Sequence, residues 1–200
     1  MVTKWADRET RRRDIVAAGR RLLTEKVYAA LQMRDVAKGA GISPGTVYTY
    51  FATKEALYAT LYAERLEAFV EKIEPLCAGT PDPEDLFAAI ATEYLEMYQV
   101  YGRELNVWSV LGAGVDMDEE TGSQLVRAAA RAYDLILRTV ERIRPDSADD
   151  PAMIVTVLWS TITGLADHFT SVRGHLHPQD WDATVRFAAR KFLPGHGLPG

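Results

Sequence analysis

Apolar residues recur every three or four positions along almost the whole chain, and this spacing is typical of amphipathic α-helices. No segment alternates apolar and polar residues as a half-buried strand does, and no internal repeat is present. Glycine or proline residues interrupt the helical pattern, among them Gly41, Pro75, Gly102, Pro145 and Pro194. We therefore predict an all-α protein of about nine helices.

The stretch around Gly41 has the pattern of a helix-turn-helix. Gly41 can adopt the left-handed backbone that ends a helix, Ser43 is a favoured N-cap, and Pro44 suits the first helical position. Val47 and Phe51 lie four residues apart, so both point from the second short helix toward the core. The outer face of that helix is then free for another partner.

That outer face carries small, hydroxyl-bearing and aromatic side chains, which suit contacts with DNA phosphates and base edges. Thr53 is a predicted N-cap for the next helix, and Lys54 follows in a first turn where amide and ammonium groups can meet one phosphate. The predicted DNA-binding residues are Arg34, Ser43, Gly45, Thr46, Tyr48, Thr49, Tyr50 and Lys54.

Charge is distributed unevenly along the chain. Residues 1–54 hold eleven Lys and Arg against five acidic residues, a net of +6, whereas the remaining residues hold 12 against 23, a net of −11. A basic segment that coincides with a helix-turn-helix pattern favours a polyanion at that end of the protein. A solvated, charged helix is the alternative explanation.

Residues 34–57, RDVAKGAGISPGTVYTYFATKEAL, resemble the signature of the TetR family of transcriptional repressors. The resemblance covers about the first quarter of the chain. Two departures precede it. Lys26-Val27-Tyr28 stands where the family carries a glycine and an aromatic residue, and Leu31-Gln32 stands where it carries Ser or Thr. Gln32 is the only candidate to replace the missing hydroxyl at that helix start.

The resemblance implies a domain organisation. Residues 1–54 are expected to form the DNA-binding domain, residues 55–193 the ligand-binding and dimerisation domain, and residues 194–200 a disordered tail. One long helix that starts at Thr53 joins the two domains. In proteins similar to this one, the corresponding helix transmits ligand binding to the DNA-binding helices.

Aromatic residues are concentrated in the central helices. Ordinary core packing explains them, but an apolar ligand cavity with a few polar groups does so equally, and the resemblance implies an inducer site. With no basic residue predicted near these positions, an apolar, aromatic or cationic compound is favoured over a strongly anionic one. The candidate ligand-binding residues are Tyr94, Met97, Tyr98, Tyr101, Trp108, Leu111, Tyr133, Trp159 and His168.

The last two predicted helices have facing sides with little charge, which suggests burial against a second copy. A ridge of small residues on helix 153–172 would let another helix approach closely. In TetR-like proteins the last two helices form a four-helix dimer interface. The candidate dimer residues are Thr156, Ser160, Thr163, Gly164, Trp181, Val185, Ala188 and Phe192.

The sequence contains little that favours another class of protein. Gly112-Ala-Gly114 lacks the third glycine of a dinucleotide fingerprint, and the four histidines have a surface pattern rather than that of a metal site. The single cysteine, Cys77, excludes a disulfide framework. The charged N-terminus shows no signal peptide, and the apolar run 151–166 is shorter than a membrane span, so it should form a buried helix. We expect a cytoplasmic protein that is not an enzyme and has no cofactor, metal or membrane partner.

The sequence therefore predicts a ligand-responsive, homodimeric regulator, most simply a repressor that leaves a palindromic double-stranded DNA operator when a small-molecule inducer binds its body. The alternative is a helical small-molecule or partner-binding protein without specific operator binding. Gln32 is the only feature that leans toward the alternative.

Overall fold

A computed structural model describes residues 4–25, 30–79, 81–101, 118–145, 147–176 and 178–193. The described residues form eight α-helices and one short 3₁₀ helix, and they contain no strand, which confirms the all-α prediction. The α-helices are α1 (Lys4–Glu25), α2 (Met33–Gly39), α3 (Pro44–Tyr50), α4 (Lys54–Leu76), α5 (Pro83–Tyr101), α6 (Glu119–Ile143), α7 (Pro151–Thr170) and α8 (Trp181–Phe192). The 3₁₀ helix, Val172–Leu176, follows α7.

Hydroxyl or carboxylate side chains cap the starts of several helices, as residues with short polar side chains do when backbone amides are left without partners. Ser43 accepts a hydrogen bond at the start of α3, Thr53 at α4, Asp82 at α5, Asp150 at α7 and Asp180 at α8. The N-caps predicted at Ser43 and Thr53 are thus confirmed.

The chain divides into two compact units. The first contains Met1–Leu66 and Val100–Ala128, and the second contains Glu67–Gln99 and Ala129–Gly200. Helices α4, α5 and α6 each contribute residues to both units. The functional boundary at residue 54 remains a prediction.

The core of the first unit is built around α1, with α2 packed on α1 and α3 packed on α2. Gly19 on α1 allows a close approach, because a Cβ atom there would lie only 3.0 Å from Leu61 Cδ1 on α4. The fully buried side chains include Ile15, Val36, Val47, Phe51, Leu57 and Leu61. Through Val47 and Phe51, the inner face of α3 is packed in this core.

The core of the second unit brings together parts of α4, α5 and α6 with α7 and α8. Two arginines of α8 hold the start of α5: Arg186 lies 2.7 Å from Asp85, and Arg190 lies 2.6 Å from Glu84. The buried side chains include Phe69, Ile73, Ile90, Met97, Ile136, Ile162 and Val185.

Helix α7 is the one described helix that is long and apolar enough to cross a membrane, judged by length and composition alone. Only one face of α7 is buried within the chain, because 28% of the residues in its most apolar stretch are buried. Met153, Thr156, Ser160 and Gly164 lie on an exposed face. The expectation of a buried helix is therefore wrong for the exposed face of α7 in the single chain.

Several predicted features lie outside the described residues. One is a short helix, which the three-residue spacing of Leu105, Trp108 and Leu111 predicts. The others are the candidate ligand residues Trp108 and Leu111 and the tail 194–200.

Candidate DNA-binding surface and ligand cavity

The turn before α3 has the geometry that its residues predict. Gly41 has a φ of 67°, in the left-handed region that favours glycine. The Ser43 side chain accepts a hydrogen bond of 3.1 Å from the Thr46 amide, and the two hydroxyls lie 2.8 Å apart. Val47 is fully buried, so α3 is held by its inner side and by its first turn.

The opposite face of α3 is open to solvent. Tyr48 is 52% exposed, Gly45 and Thr49 are also exposed, and Thr46 and Tyr50 are half-buried. The Thr49 hydroxyl donates to the Gly45 carbonyl at 3.1 Å, which satisfies its hydrogen. Among the described residues, a Cβ atom at Gly45 would meet only Ser43 Oγ, at 3.8 Å, so packing within the described part of the chain does not require glycine there.

Two basic residues flank this face in the chain. Arg34 is exposed on α2, and Lys54 is half-buried at the first position of α4. Thr53 accepts from the Ala56 amide at 3.0 Å, which orients the first turn of α4. The structure thus brings most of the predicted DNA-binding residues onto α3 or its flanking turns.

An arginine network that the sequence did not indicate joins three elements of the first unit. The guanidinium carbon of Arg12 on α1 lies 5.2 Å from the centre of the Phe51 ring, at the end of α3. The same side chain lies 3.8 Å from the carboxylate of Asp118, before α6. Asp118 in turn accepts from the amide and hydroxyl of Thr121, both at 2.9 Å, so it caps α6.

The pKa of Asp118 reflects this setting. Burial is the strongest single influence and raises the pKa of the carboxyl, but the Thr121 hydrogen bonds and the Arg12 charge together bring it below its ordinary value. The acidic composition of residues 115–122 predicts a loop, whereas α6 begins within this run, at Glu119. The spacing of Asp118 and Thr121 was a signal of a helix start, since an N-cap carboxylate accepts from the amide three residues later.

The second unit contains a largely apolar cavity with about 470 Å³ of free space, its mouth included. Of the predicted ligand-binding residues that the structure describes, only Trp159 lines it. The walls come from the end of α4, the start of α5, the end of α6, the middle of α7 and the residue after α8. The lining residues are Cys77, Pro83, Leu86, Phe87, Ile90, Ile136, Thr139, Val140, Ile143, Val155, Leu158, Trp159, Ile162 and Leu193.

Other predicted ligand residues of the second unit pack against one another. The Tyr94 ring lies 5.2 Å from Trp159, 5.9 Å from Tyr98 and 6.4 Å from Phe69, measured between ring centres. Burial raises the pKa of the Tyr94 phenol, and a hydrogen bond with Thr163 opposes this. Burial in a core explains this packing without a ligand. Contact of Tyr94, Tyr98 and Trp159 with a ligand remains a prediction.

The remaining candidates are dispersed. Tyr101 belongs to the first unit, where its ring lies 5.4 Å from Tyr58 and 5.5 Å from Tyr62, and burial raises its pKa to about 12. Met97 is buried, Tyr133 is 42% exposed on α6, and His168 is half-buried against Phe169. The grouping of the candidate residues around one ligand remains a prediction.

The candidate dimer residues also fall into two groups. Val185 and Ala188 are buried within the chain, so their side chains face its own core, whereas Phe192 is 45% exposed. Trp181 is half-buried, and its ring lies 5.4 Å from Phe169. On α7 the exposed candidates are Thr156, Ser160 and Gly164, while Thr163 is half-buried.

Short stretches of the chain are similar in sequence to known regulators. Residues 15–61 match the family model described as bacterial regulatory proteins, tetR family. The fatty acid metabolism regulator protein of Bacillus subtilis is 35% identical over 60 residues, or 30% of this chain and 31% of that protein. The regulator EthR of Mycolicibacterium smegmatis is 49% identical over 47 residues, or 24% of this chain and 22% of that protein. These two matches span only 31% and 22% of the relatives' lengths.

Solved structures extend the likeness to the whole fold. The regulator FadR of Bacillus subtilis, in complex with stearoyl-CoA, aligns over 92% of this chain and 98% of its own, with a TM-score of 0.61 and 16% identity. The TetR family regulator PfmR of Thermus thermophilus aligns over 92% and 99%, also with a TM-score of 0.61 and 16% identity. At such identities the similarity shows the fold.

Proposed function

Residues 15–61 place this chain in the TetR family of bacterial regulatory proteins, and from that premise we propose that it is a ligand-responsive, DNA-binding transcriptional regulator. One observation carries the proposal. The solvent-open face of α3, with Gly45, Tyr48 and Thr49, lies on a helix whose inner face and first turn are fixed. A helix held in this way can enter a major groove.

We assign the contacts with DNA to α3 and its flanks. Tyr48 and the Thr46 and Thr49 hydroxyls would meet base edges or phosphates, while Arg34 and Lys54 would meet phosphates. The full set of proposed contacts is Arg34, Ser43, Gly45, Thr46, Tyr48, Thr49, Tyr50 and Lys54.

The regulator would act as a homodimer in the cytoplasm. Two copies of α3 related by a dyad would read half-sites about one helical turn, ~34 Å, apart. Support comes from α7 and α8, which pack on each other and keep apolar or small residues exposed. The exposed residues are Met153, Thr156, Ser160, Gly164, Phe187 and Phe192.

A small molecule in the body would release the protein from its operator. The apolar cavity of the second unit is the candidate site for such a ligand. FadR of Bacillus subtilis, which shares the fold, was solved with stearoyl-CoA. Release requires a ligand that binds one conformation more tightly than the other. The ratio of the two affinities limits how far the ligand can shift the conformational equilibrium.

Operator binding by variants of Tyr48 tests the proposal. We expect the unchanged protein to shift a palindromic fragment of its own upstream DNA, with an affinity that falls steeply as salt rises. Tyr48→Ala should weaken binding about tenfold or more by removing a base-edge or phosphate contact. Tyr133→Ala, which changes an exposed tyrosine of α6, is the matched control.

Lys54→Ala separates a phosphate contact from a base contact. It should weaken binding to all DNA sequences alike. The slope of log affinity against log salt concentration should become shallower by about one, because one phosphate contact is lost. Failure of the unchanged protein to bind any palindromic DNA at low salt would refute the regulator proposal.

The second candidate is a helical ligand- or partner-binding protein that does not bind an operator. It is favoured by Gln32, the N-cap residue of α2, whose side chain makes no capping hydrogen bond to the described start of that helix. Under this candidate, changes at Tyr48 and Lys54 would leave every measured property unaltered.

A further inference from the structure

We propose that the cavity of the second unit is gated by the end of α8, residues 190–193, which moves outward to admit a ligand when the ion pair between Arg190 and Glu84 breaks. The regulatory meaning of this gate rests on the proposed function, since that function supplies the ligand. The gate itself rests on contacts within the second unit, and it is testable without DNA.

The cavity is too small for a ligand as it stands. Its enclosed space is about 30 Å³, whereas an apolar protein cavity that binds benzene measures about 150 Å³. Because the interior of a protein is closely packed, small shifts of side chains do not make up this difference. A ligand of one or two aromatic rings therefore requires that part of the wall moves.

Buried apolar packing holds much of the wall in place. Five aliphatic residues of α6 and α7 line the cavity and are buried, namely Ile136, Val140, Val155, Leu158 and Ile162. Outward movement of either helix would expose several of these side chains to water at once, which the hydrophobic effect opposes. These two helices are therefore the fixed part of the wall.

The end of α6 is also held by hydrogen bonds. Arg142 donates from Nε to the Gly79 carbonyl at 2.7 Å and from Nη2 to the Cys77 carbonyl. Hydrogen bonds from a charged donor are stronger than those between neutral groups. They fix the end of α6 against the segment that follows α4.

The end of α8 is attached to the wall in a different way. Of residues 190–193, only Leu193 is buried, and it lines the cavity. Arg190, Lys191 and Phe192 are exposed. Outward movement of this turn would therefore expose one leucine and take away one part of the wall.

An exposed ion pair holds this turn against α5. Arg190 Nη1 lies 2.6 Å from Glu84 Oε1, and the two side chains are 54% and 27% exposed. Glu84 follows Pro83 in the chain and precedes Leu86 by two residues, and both of these line the cavity. Because water competes for both charges, such a pair contributes little to stability and breaks readily.

The preceding turn of α8 stays in place when this pair breaks. Arg186 lies 2.7 Å from Asp85 and 3.0 Å from Asp182 of its own helix, so it keeps its partners. Ala189 is fully buried, and its carbonyl accepts from the Leu193 amide at 2.6 Å in the closed cavity. The gate therefore begins after Ala189, and its opening breaks this last helical hydrogen bond.

Cys77 reports how often the cavity opens. It is the only cysteine of the chain, it lines the cavity, and it is buried. When closing is faster than reaction, its rate of modification by a small neutral reagent such as methyl methanethiosulfonate is proportional to the open fraction.

Urea separates two routes to the thiol. Opening of one helical turn exposes little surface, so low urea concentrations should change the rate of Cys77 modification little. Modification through global unfolding would instead rise steeply with urea.

Variants at the ion pair test the gate. Arg190→Gln and Glu84→Gln should each raise the rate of Cys77 modification about threefold, because each removes one exposed ion pair. The double variant should also give about threefold rather than about ninefold, because both changes remove the same pair. Arg190→Lys keeps the charge and should keep the slow rate.

Lys72→Gln is the matched control. Lys72 forms an ion pair of 2.6 Å with Glu93, which also joins α5 to another helix, and neither residue lines the cavity. The change removes one positive charge from the same unit, as Arg190→Gln does, and should leave the rate of Cys77 modification unchanged.

Naphthalene tests whether the open cavity admits a ligand. A ligand that binds the open state alone has an apparent affinity proportional to the open fraction. Arg190→Gln should therefore tighten naphthalene binding, measured by its fluorescence, by the same factor by which it speeds the modification of Cys77. Bound naphthalene should slow that modification in both proteins.

The outcomes separate the gate from the regulator proposal. A rate of Cys77 modification that Arg190→Gln leaves unchanged, a rate that rises steeply with urea, or no naphthalene binding by either protein would overturn the gate even if the protein shifts its operator. Independent effects of Arg190→Gln and Glu84→Gln would show that their ion pair does not close it. A common factor for rate and affinity supports the gate even if no operator is found.

Discussion

Arg12 uses one side chain to join α1, the end of α3 and the start of α6. Its guanidinium faces the Phe51 ring and the Asp118 carboxylate, and neither contact is deeply buried. A cation–π contact at a partly exposed site contributes about 0.5–1 kcal/mol, and an exposed ion pair contributes about as much or less. The residue is therefore a modest but well-placed support for α3.

Replacement of Arg12 by Gln should lower the free energy of unfolding by about 1 kcal/mol, because it removes both contacts. Urea unfolding would measure the change. Arg13→Gln, whose side chain donates to Thr10 of its own helix, is the control and should have little effect. Equal stability of the Arg12 variant and the unchanged protein would show that neither contact stabilises the fold.

Tyr101 makes stability depend on pH in alkaline solution. Burial raises the pKa of its phenol from 10.0 to about 12. Between these values the unfolded chain loses the proton while the folded chain keeps it, so the free energy of unfolding falls as pH rises, by on the order of 2 kcal/mol. Below about pH 10 the group has no effect on stability.

Tyr101→Phe should remove this part of the alkaline destabilisation, at the cost of the hydrogen bond from the phenol to the Leu61 carbonyl. Unfolding in urea at about pH 9 and about pH 11 would measure the difference between the two proteins. A variant that loses as much stability as the unchanged protein over this interval would contradict the assignment.

At the level of single elements, α3 depends on its cap. Ser43→Ala should lower stability by about 1 kcal/mol, since the Thr46 amide loses its acceptor. Thermal unfolding would measure the loss. Ser123→Ala, a serine inside α6, is the matched control and should be neutral or slightly stabilising because alanine favours helix interiors. Similar losses in both variants would mean that the cap is not the cause.

The helices that begin with a polar cap were predictable from sequence. Ser43, Thr53 and Asp82 each stand directly before an amphipathic segment, and local hydrogen bonding decides their role. The start of α6 was missed, because Asp118 stands among other acidic residues and the pattern resembled a loop. Local chemistry thus determined most of the element boundaries.

The location of the cavity was not predictable in the same way. Tyr94, Tyr98 and Tyr101 share one face of α5, and periodicity shows only that this face is buried. It does not show which neighbour covers each residue. The structure places Tyr94 against Trp159 but Tyr101 against Tyr58, in separate units. The cavity arises where helix ends meet, and aliphatic residues far apart in sequence line it.

For the whole molecule, the exposed face of α7 predicts a homodimer. A Cβ atom at Gly164 would meet no other atom of the described residues within 4 Å, so a larger residue fits the single chain. Gly164→Arg should therefore leave the fold intact and shift the protein from dimer to monomer in sedimentation. Val126→Arg, which changes a 51% exposed residue of α6, should leave the dimer unchanged.

Monomeric behaviour of the unchanged protein at micromolar concentration would contradict the dimer proposal. A dimer that persists in Gly164→Arg would place the interface on another surface. Either result is independent of the test for operator binding.

The contact between Gly19 and Leu61 limits how this chain can be recombined with others of the same fold. The family match ends at residue 61, inside α4, and the first unit continues to Leu66. A chimaera that exchanges only residues 1–54 would set a foreign α1 against Leu57 and Leu61, where any side chain larger than hydrogen at position 19 meets Leu61 at 3.0 Å. A transplanted head should therefore bring the first three turns of α4 with it, which puts the crossover point for chimaeras of this chain in the middle of a helix.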